Sequence, residues 1–129
     1  MKNEIKRFYY KNGTIEQEIY YKNNQYHREN GPAEIYYYRN GKIKSEKYWV
    51  NGKRHREDGP SYIEYFLDGM VEFEAYFTNG KRHREDGPAA IWYGQFSKAK
   101  KEYYYINDKE ITDEFKIMVI RGLGIKNIK

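Results

Sequence analysis

The sequence predicts a mainly β fold: an antiparallel meander of stacked hairpin repeats, with about eight strands in a single twisted or curled sheet and a short C-terminal capping helix. Three observations support this prediction. A 28-residue unit recurs along the chain, aromatic residues make up 19% of the sequence, and Asn-Gly or Asp-Gly dipeptides separate the aromatic runs. Aromatic residues suit strands, and these dipeptides suit type I′ hairpin turns, in which both central residues need positive φ.

The repeat is defined by the string His-Arg-Glu-Asp-Gly-Pro, which occupies residues 55–60 and 83–88. A close copy, with Asn in place of Asp, occupies residues 27–32. The same spacing relates Asn23, Asn51, Asn79 and Asn107, and also the copies of a Glu-x-Tyr segment: Glu18 and Tyr20, Glu46 and Tyr48, Glu74 and Tyr76, Glu102 and Tyr104. No insertion breaks the period, so the units are expected to be structurally equivalent.

The turn signals divide the chain into strands. Asn-Gly or Asp-Gly occurs at residues 12–13, 40–41, 51–52, 68–69 and 79–80, and we predict a type I′ turn at each. The predicted strands lie at residues 5–11, 14–22, 33–39, 42–50, 61–67, 70–78, 89–94 and 98–106. Each is expected to pair with its neighbour in sequence, which makes an antiparallel meander.

Alternation along the strands assigns two faces to the sheet. Ala33, Ile35 and Tyr37 share one face, and their equivalents recur in the next two units, so we predict that this face is the better packed one. The opposite face changes from unit to unit and is expected to be solvated or lightly covered. Its equivalent positions are Tyr36, Glu64 and Trp92.

The repeat is cut short near residue 110, so residues 1–110 are assigned to the sheet and residues 111–129 to a capping helix and basic tail. Thr112 is a plausible N-cap for a helix over residues 112–121, and acidic residues follow it in the first turn. Phe115, Met118 and Val119 fall on one helical stripe. A terminal repeat needs such a cap because an open sheet edge invites further pairing.

The composition restricts the functional classes. A formal charge of +5 with both signs present permits an anionic partner without requiring one. The chain has no cysteine, hence no disulfide or thiol nucleophile, and we expect a cytoplasmic protein without a cofactor. No signal peptide or membrane span is predicted. The many Lys, Asn, Ile and Tyr residues have AT-rich codons, which favours a phage, viral or low-GC bacterial source.

Residues 48–55, which read Tyr-Trp-Val-Asn-Gly-Lys-Arg-His, and their copy at residues 76–83 resemble the core of MORN repeats. The tyrosine-rich runs at residues 9–21 and 36–49 are similar to the antitoxin-type relatives of those repeats. The resemblance covers residues 8–109. MORN units are shorter and carry Gly-x-Gly after the His, where this chain has Arg-Glu-Asp-Gly-Pro. The resemblance implies a sheet of stacked hairpins that binds proteins or lipid head groups and performs no chemistry.

Candidate binding residues lie on the repeated string and near it. Equivalent residues of successive units are expected about 9–10 Å apart, twice the strand spacing. The three His residues would then be too far apart to share one zinc ion at about 2.0 Å per ligand, so no metal site is predicted. The string also suits a structural corner, in which Gly and Pro shape the turn. The proposed binding residues are Arg28, Lys53, Arg54, His55, Arg56, Lys81, Arg82, His83, Arg84, Trp49 and Trp92.

Two functional classes follow from these patterns. The first is a non-enzymatic protein-interaction module, for instance an inhibitor or neutraliser of a host factor or toxin. The alternative is a binder of an anionic ligand (nucleotide, nucleic acid or phospholipid head group) through the Arg/Lys ladder and the tyrosine face. Interleaved acidic residues favour the protein partner. No catalytic residue is predicted, because catalysis needs one uniquely tuned pair rather than equal copies. The sequence does not decide whether two copies pair through their sheet edges to form a homodimer.

Overall fold

A computed structural model describes residues 2–95, 100–111 and 115–116. The strands in these residues are β1 (Asn3–Tyr9), β2 (Ile15–Lys22), β3 (Gln25–Tyr26), β4 (Glu34–Tyr37), β5 (Ile43–Lys47), β6 (Trp49–Val50), β7 (Lys53–Arg54), β8 (Tyr62–Tyr65), β9 (Val71–Ala75), β10 (Phe77–Thr78), β11 (Lys81–Arg82), β12 (Ala90–Tyr93), β13 (Lys100–Tyr103), β14 (Tyr105–Ile106) and β15 (Lys109–Glu110).

Eight long strands form one antiparallel sheet in the order β1-β2-β4-β5-β8-β9-β12-β13, and β3 adds to β2. The predicted mainly β meander is therefore confirmed. The sheet is open, because β1 and β13 are its two ends and do not pair with each other. The predicted capping helix, residues 112–121, lies outside the described residues except at Phe115 and Lys116.

The register repeats every 28 residues, as the sequence spacing predicts. Glu18 lies opposite Ile35, Glu46 opposite Ile63 and Glu74 opposite Ile91. We refer to the side that carries these three isoleucines as the inner face, and to the other side as the outer face. Buried residues of the inner face include Ala33, Ile35, Ser61, Ile63, Ala89 and Ile91. The outer face also has buried residues, namely Ile19, Glu34, Ser45, Ala75 and Ala90, so the two faces differ less in packing than the sequence pattern predicts.

The predicted strand at residues 42–50 is wrong in one respect, because it is broken at Tyr48. The main-sheet strand β5 ends at Lys47, and β6 then pairs with β7 in a separate two-stranded hairpin. The breaks in the predicted strands at residues 70–78 and 98–106 give the hairpins β10–β11 and β14–β15. The second and third units, which begin at β4 and β8, thus each contain one long and one short hairpin, which explains their two Asn-Gly or Asp-Gly signals.

The two kinds of hairpin use different turns. In the short hairpins both central residues have positive φ, 49° at Asn51 and 78° at Gly52, as a type I′ turn requires. In the long hairpins only the glycine does, with 88° at Gly41, so the type I′ prediction is wrong at residues 12–13, 40–41 and 68–69. A register shift beside each long turn supplies one extra residue, and a left-handed glycine accommodates it.

Candidate functional site

The corner at residues 55–60 packs its arginine against the protein. The Cζ atom of Arg56 lies 4.2 Å from the centre of the Tyr48 ring, and its Nη1 donates a hydrogen bond to the carbonyl oxygen of Pro60 at 3.0 Å. A Cβ placed on Gly59 would lie 3.0 Å from the same Cζ, so the guanidinium occupies the space above the glycine. The first and third corners repeat the ring contact, with Arg28 on Tyr20 and Arg84 on Tyr76.

The corner therefore presents carboxylates to solvent. The side chains of Glu57 and Asp58 are 88% and 91% exposed, whereas that of Arg56 is 28% exposed. Arg56 Nε also lies 3.4 Å from Asp58, and Arg84 repeats this ion pair with Asp86 at 3.2 Å. The arginines of the predicted ladder, Arg28, Arg56 and Arg84, recur at equivalent positions. Their guanidinium groups already contact tyrosine rings and proline carbonyl oxygens of the same chain.

Each corner histidine holds the short hairpin of the following unit. His55 Nδ1 accepts a hydrogen bond from the backbone N–H of Asn79 at 3.2 Å, and His27 and His83 repeat this contact with equivalent asparagines. His55 Nε2 lies 3.5 Å from Glu57. The histidines thus act separately, and no group of three or more metal-ligating side chains occurs among the described residues.

The repeated glutamates of the inner face accept hydrogen bonds from tyrosines of the following unit. Tyr65 Oη donates to Glu46 at 2.5 Å, and Tyr37 donates to Glu18 in the same way. Burial, followed by this hydrogen bond, raises the pKa of Tyr65 well above its ordinary value. Burial would raise the pKa of Glu18, but the hydrogen bonds from Tyr37 and Arg7 outweigh it and lower that pKa. These pairs connect successive units.

The outer face carries a row of aromatic rings across neighbouring strands. The Trp92 ring lies 4.2 Å from Phe73, centre to centre, and Phe73 lies 5.5 Å from Tyr62. Trp92 is 45% exposed. Lys47 Nζ lies 5.0 Å from the centre of Tyr62 and 5.7 Å from that of Tyr36. We name Tyr36, Tyr62, Phe73 and Trp92 the outer aromatic row.

Arg54 belongs to the short hairpin β6–β7 and connects it to the outer aromatic row. Its Cζ lies 5.0 Å from the Tyr62 ring, 5.4 Å from Trp49 and 5.2 Å from Phe77. Trp49 Nε1 donates a hydrogen bond to the buried Glu34 at 3.3 Å, which orients the indole. A partner approaching the outer face would therefore meet aromatic rings with cations between them.

Burial raises the pKa of tyrosines in this region. One is Tyr62, whose hydroxyl also donates a hydrogen bond to Glu64. Another is Tyr26, which lies edge-on to Trp49 and whose pKa is raised to about 12. Tyrosine hydroxyls are hydrogen-bond donors at neutral pH even without such a shift, and here the shift extends that state into alkali.

The structure divides the predicted binding residues into several groups. Trp49, Arg54 and Trp92 belong to the outer face. The corner residues Arg28, His55, Arg56, His83 and Arg84 stabilise the units, and Lys53 and Lys81 are exposed on the short hairpins. Arg82 lies 4.1 Å from the Tyr105 ring and pairs with Asp108 at 3.1 Å.

The predicted binding residues omit four contributors to the outer face, although the sequence pattern had placed the first of them on that face: Tyr36, Lys47, Tyr62 and Phe73. The unit-to-unit variation at positions 36, 64 and 92 indicated the correct face. It did not show which rings would meet across strands, because that depends on the register and on the bulges beside the long turns.

Comparison with known proteins gives no match: no family model fits the chain, and no significant similarity to a curated protein or a solved structure is found. The resemblance to MORN repeats stays a prediction. Within the described part of the chain, no helix is long and apolar enough to cross a membrane.

Proposed function

We propose that the chain is a non-enzymatic protein-interaction module whose contact surface is the outer face. The observation that supports this proposal is the line of contacting rings formed by Tyr62, Phe73 and Trp92, which ends on the 45% exposed Trp92. A few residues dominate the binding energy at protein interfaces, and tryptophan, tyrosine and arginine are enriched among them. Trp92, Tyr62 and Arg54 supply all three types on one side of the sheet.

The charges on and beside this surface favour a protein over a phosphate-rich ligand. Lys47 and Arg54 lie among the rings, and Glu64 of β8 adds an acidic group to the same face. The corners add exposed carboxylates, and their arginines are already engaged. A partner with both signs of charge would complement this surface, whereas a polyanion would be repelled by the acidic residues. An inhibitor or neutraliser of a host factor or toxin is one concrete form of this function.

The proposal is non-enzymatic because the tyrosine–glutamate pairs of the inner face are equivalent copies. Acid–base catalysis needs two groups whose environments drive their pKa values apart. Here the pKa values of Tyr37, Tyr65 and Tyr93 are all raised, for the same reasons of burial and a glutamate partner. The pairs are therefore better suited to joining the units.

Site-specific photocrosslinking in the native host tests the contact surface. A benzophenone amino acid at position 92 is expected to capture one protein, and the same probe at Leu67 is the control, because Leu67 is 55% exposed but lies in a long turn. The captured protein is then purified and its binding measured. Trp92→Ala and Phe73→Ala should each weaken binding by about 30-fold, since removing a central interface residue costs about 2 kcal/mol.

Salt dependence separates this proposal from the anionic-ligand alternative. Binding of the captured protein should change little between low and moderate salt, whereas a nucleic acid or other polyanion would bind with a steep loss of affinity. Equal capture at positions 92 and 67, or tight oligonucleotide binding that Trp92→Ala leaves unchanged, would contradict the proposed function.

A further inference from the structure

The two ends of the sheet carry complementary halves of the junction that joins successive units. At each internal junction a glutamate lies opposite an isoleucine, and a tyrosine two residues after that isoleucine donates to the glutamate. Glu46, Ile63 and Tyr65 show the arrangement in the middle of the sheet. The 28-residue spacing places Arg7 and Tyr9 of β1 at the isoleucine and tyrosine positions.

The opposite end supplies the other half. Glu102 of β13 occupies the repeated glutamate position and lies opposite Ile91. Its side chain is 35% exposed, and within the described residues its ion pair is with Lys100, at 4.0 Å. No tyrosine hydroxyl of the described residues donates to it, in contrast to Glu18, Glu46 and Glu74.

The β1 strand at the end of the sheet carries three exposed large apolar or aromatic side chains among its charged residues. Ile5, Phe8 and Tyr9 are 50%, 48% and 58% exposed. An edge strand presents unpaired backbone N–H and C=O groups, and exposed apolar side chains on it favour pairing with another strand.

We propose that β1 of one copy of this chain pairs with β13 of a second copy, in the register that the internal units use. Adding the repeat spacing to the observed pairing of Glu18 with Ile35 places Arg7 opposite Glu102 of the second copy. The same register places Phe8 opposite Lys101, and Tyr9 within reach of Glu102 as Tyr37 is of Glu18. The meander then continues from one chain into the next.

Charge complementarity favours a second copy of this chain as the partner of β1. Arg7 stands where the internal units have an apolar isoleucine, and Glu102 is the carboxylate that would face it. Arg7 Nε already contacts Glu18 at 2.7 Å, and its side chain is 43% exposed, so the other guanidinium N–H groups can serve a second carboxylate. The contact is head to tail, and such contacts build rings if they close and filaments if they do not.

Engineered disulfides test the register without background, because the chain has no cysteine. Phe8→Cys and Lys101→Cys variants are mixed under mild oxidation and examined on non-reducing gels, with the linked peptides identified by mass spectrometry. We expect the mixture to form the disulfide between positions 8 and 101. The matched control replaces Lys101→Cys by Met70→Cys, since Met70 is 61% exposed but lies beside a long turn, and it should crosslink no more than chance collision allows.

A charge variant tests the energetics by sedimentation at increasing concentration. The wild type is expected to show growing average mass up to about 0.2 mM. Glu102→Arg should weaken association at least about tenfold, because it opposes two cations across the contact. Glu102 is exposed, so this variant should keep the wild-type circular dichroism spectrum and unfolding midpoint. Tyr9→Phe should weaken association by a smaller factor.

Three results would overturn the proposal: a wild type that stays monomeric over this range, no excess of the disulfide between positions 8 and 101 over the Met70 control, or a disulfide that Phe8→Cys forms alone with equal yield. The last result would indicate symmetric pairing of two β1 strands. This inference is independent of the outer face, so its failure would leave the proposed function in place, and the crosslink at position 92 tests that function separately.

Discussion

Arg56 holds its corner together through three neighbours. Its guanidinium covers the Tyr48 ring, donates to the Pro60 carbonyl and lies above Gly59. A cation on an aromatic face contributes about 0.5–2 kcal/mol, more as water is excluded. The glycine matters because any larger residue would occupy the position of the guanidinium. The three corners share this arrangement, so we interpret the repeated string as a packing motif in which the Glu position and the following Asp or Asn position face solvent.

Gly59→Ala should lower the free energy of unfolding by about 1–2 kcal/mol, because the added methyl group displaces the guanidinium from the ring and the carbonyl. Chemical denaturation measures this change. In an Arg56→Ala background the same methyl group has open space, so its cost should fall to a few tenths of a kcal/mol. Equal costs in the two backgrounds would show that Arg56 does not fill this space.

Tyr65→Phe should destabilise the chain by about 1–3 kcal/mol, since it leaves the Glu46 carboxylate without its tyrosine donor. Urea unfolding at neutral pH measures the loss. Tyr9→Phe, measured in dilute protein where no second copy is bound, is the matched control, because Tyr9 is exposed and none of the hydrogen bonds among the described residues involves its hydroxyl. A similar loss in both variants would mean that the hydroxyl of Tyr65 adds nothing specific.

The same pair predicts a loss of stability in alkali. The folded-state pKa of Tyr65 is raised above its unfolded value of about 10. The folded form therefore keeps its proton where the unfolded form loses it, so the stabilisation is complete below about pH 10 and declines as the pH rises further. Unfolding midpoints between about pH 8 and 11 should fall less steeply for Tyr65→Phe than for the wild type.

At the scale of the element, each short hairpin joins two units. Its turn has left-handed residues at both central positions, and the preceding unit's histidine accepts a hydrogen bond from the first of them. The sequence pattern predicted the long strands well, because period-2 alternation extends over several residues. It predicted the turns of the short hairpins at residues 51–52 and 79–80 but not the break before them, since residues 49–50 continue the alternation. In the structure the backbone N–H of Tyr48 donates to the carbonyl oxygen of Ser61, where the long strand has ended.

Asn51→Ala should lower the free energy of unfolding by about 1–2 kcal/mol, because alanine tolerates the left-handed φ of 49° poorly. Asn51→Gly should change it by only a few tenths of a kcal/mol, since glycine adopts this conformation without strain. The backbone N–H that His27 accepts from is kept in both variants. Thermal and denaturant unfolding measure the stabilities of the two variants. Equal stabilities would contradict the turn assignment.

For the whole molecule, the described contacts link each unit mainly to its neighbours. The eight-strand order follows the chain, and the hydrogen bonds of histidine and tyrosine extend to the adjacent unit. The period predicted the register of the sheet because it fixes which residues lie opposite. The outer aromatic row was harder to predict, since Tyr62 and Phe73 have no aromatic equivalents in the other units, and Trp92 reaches Phe73 across the boundary between two units.

Deleting residues 63–90 removes one complete 28-residue unit and should leave a folded chain. Ile91 would then take the place of Ile63 opposite Glu46, and Tyr93 would take the place of Tyr65. The denaturant dependence of unfolding should fall by roughly one fifth, in proportion to the surface removed, with the circular dichroism spectrum of a β protein retained.

Deleting residues 63–89 is the control, because it removes one residue fewer and leaves an extra residue in the middle of the strand. A shift by one residue moves every following side chain to the opposite face, which would place Ile91 on the outer side and leave Glu46 without its packing partner. We expect this variant to unfold or aggregate. If both deletions folded equally well, the units would not depend on a common register, and the 28-residue period would have no structural basis.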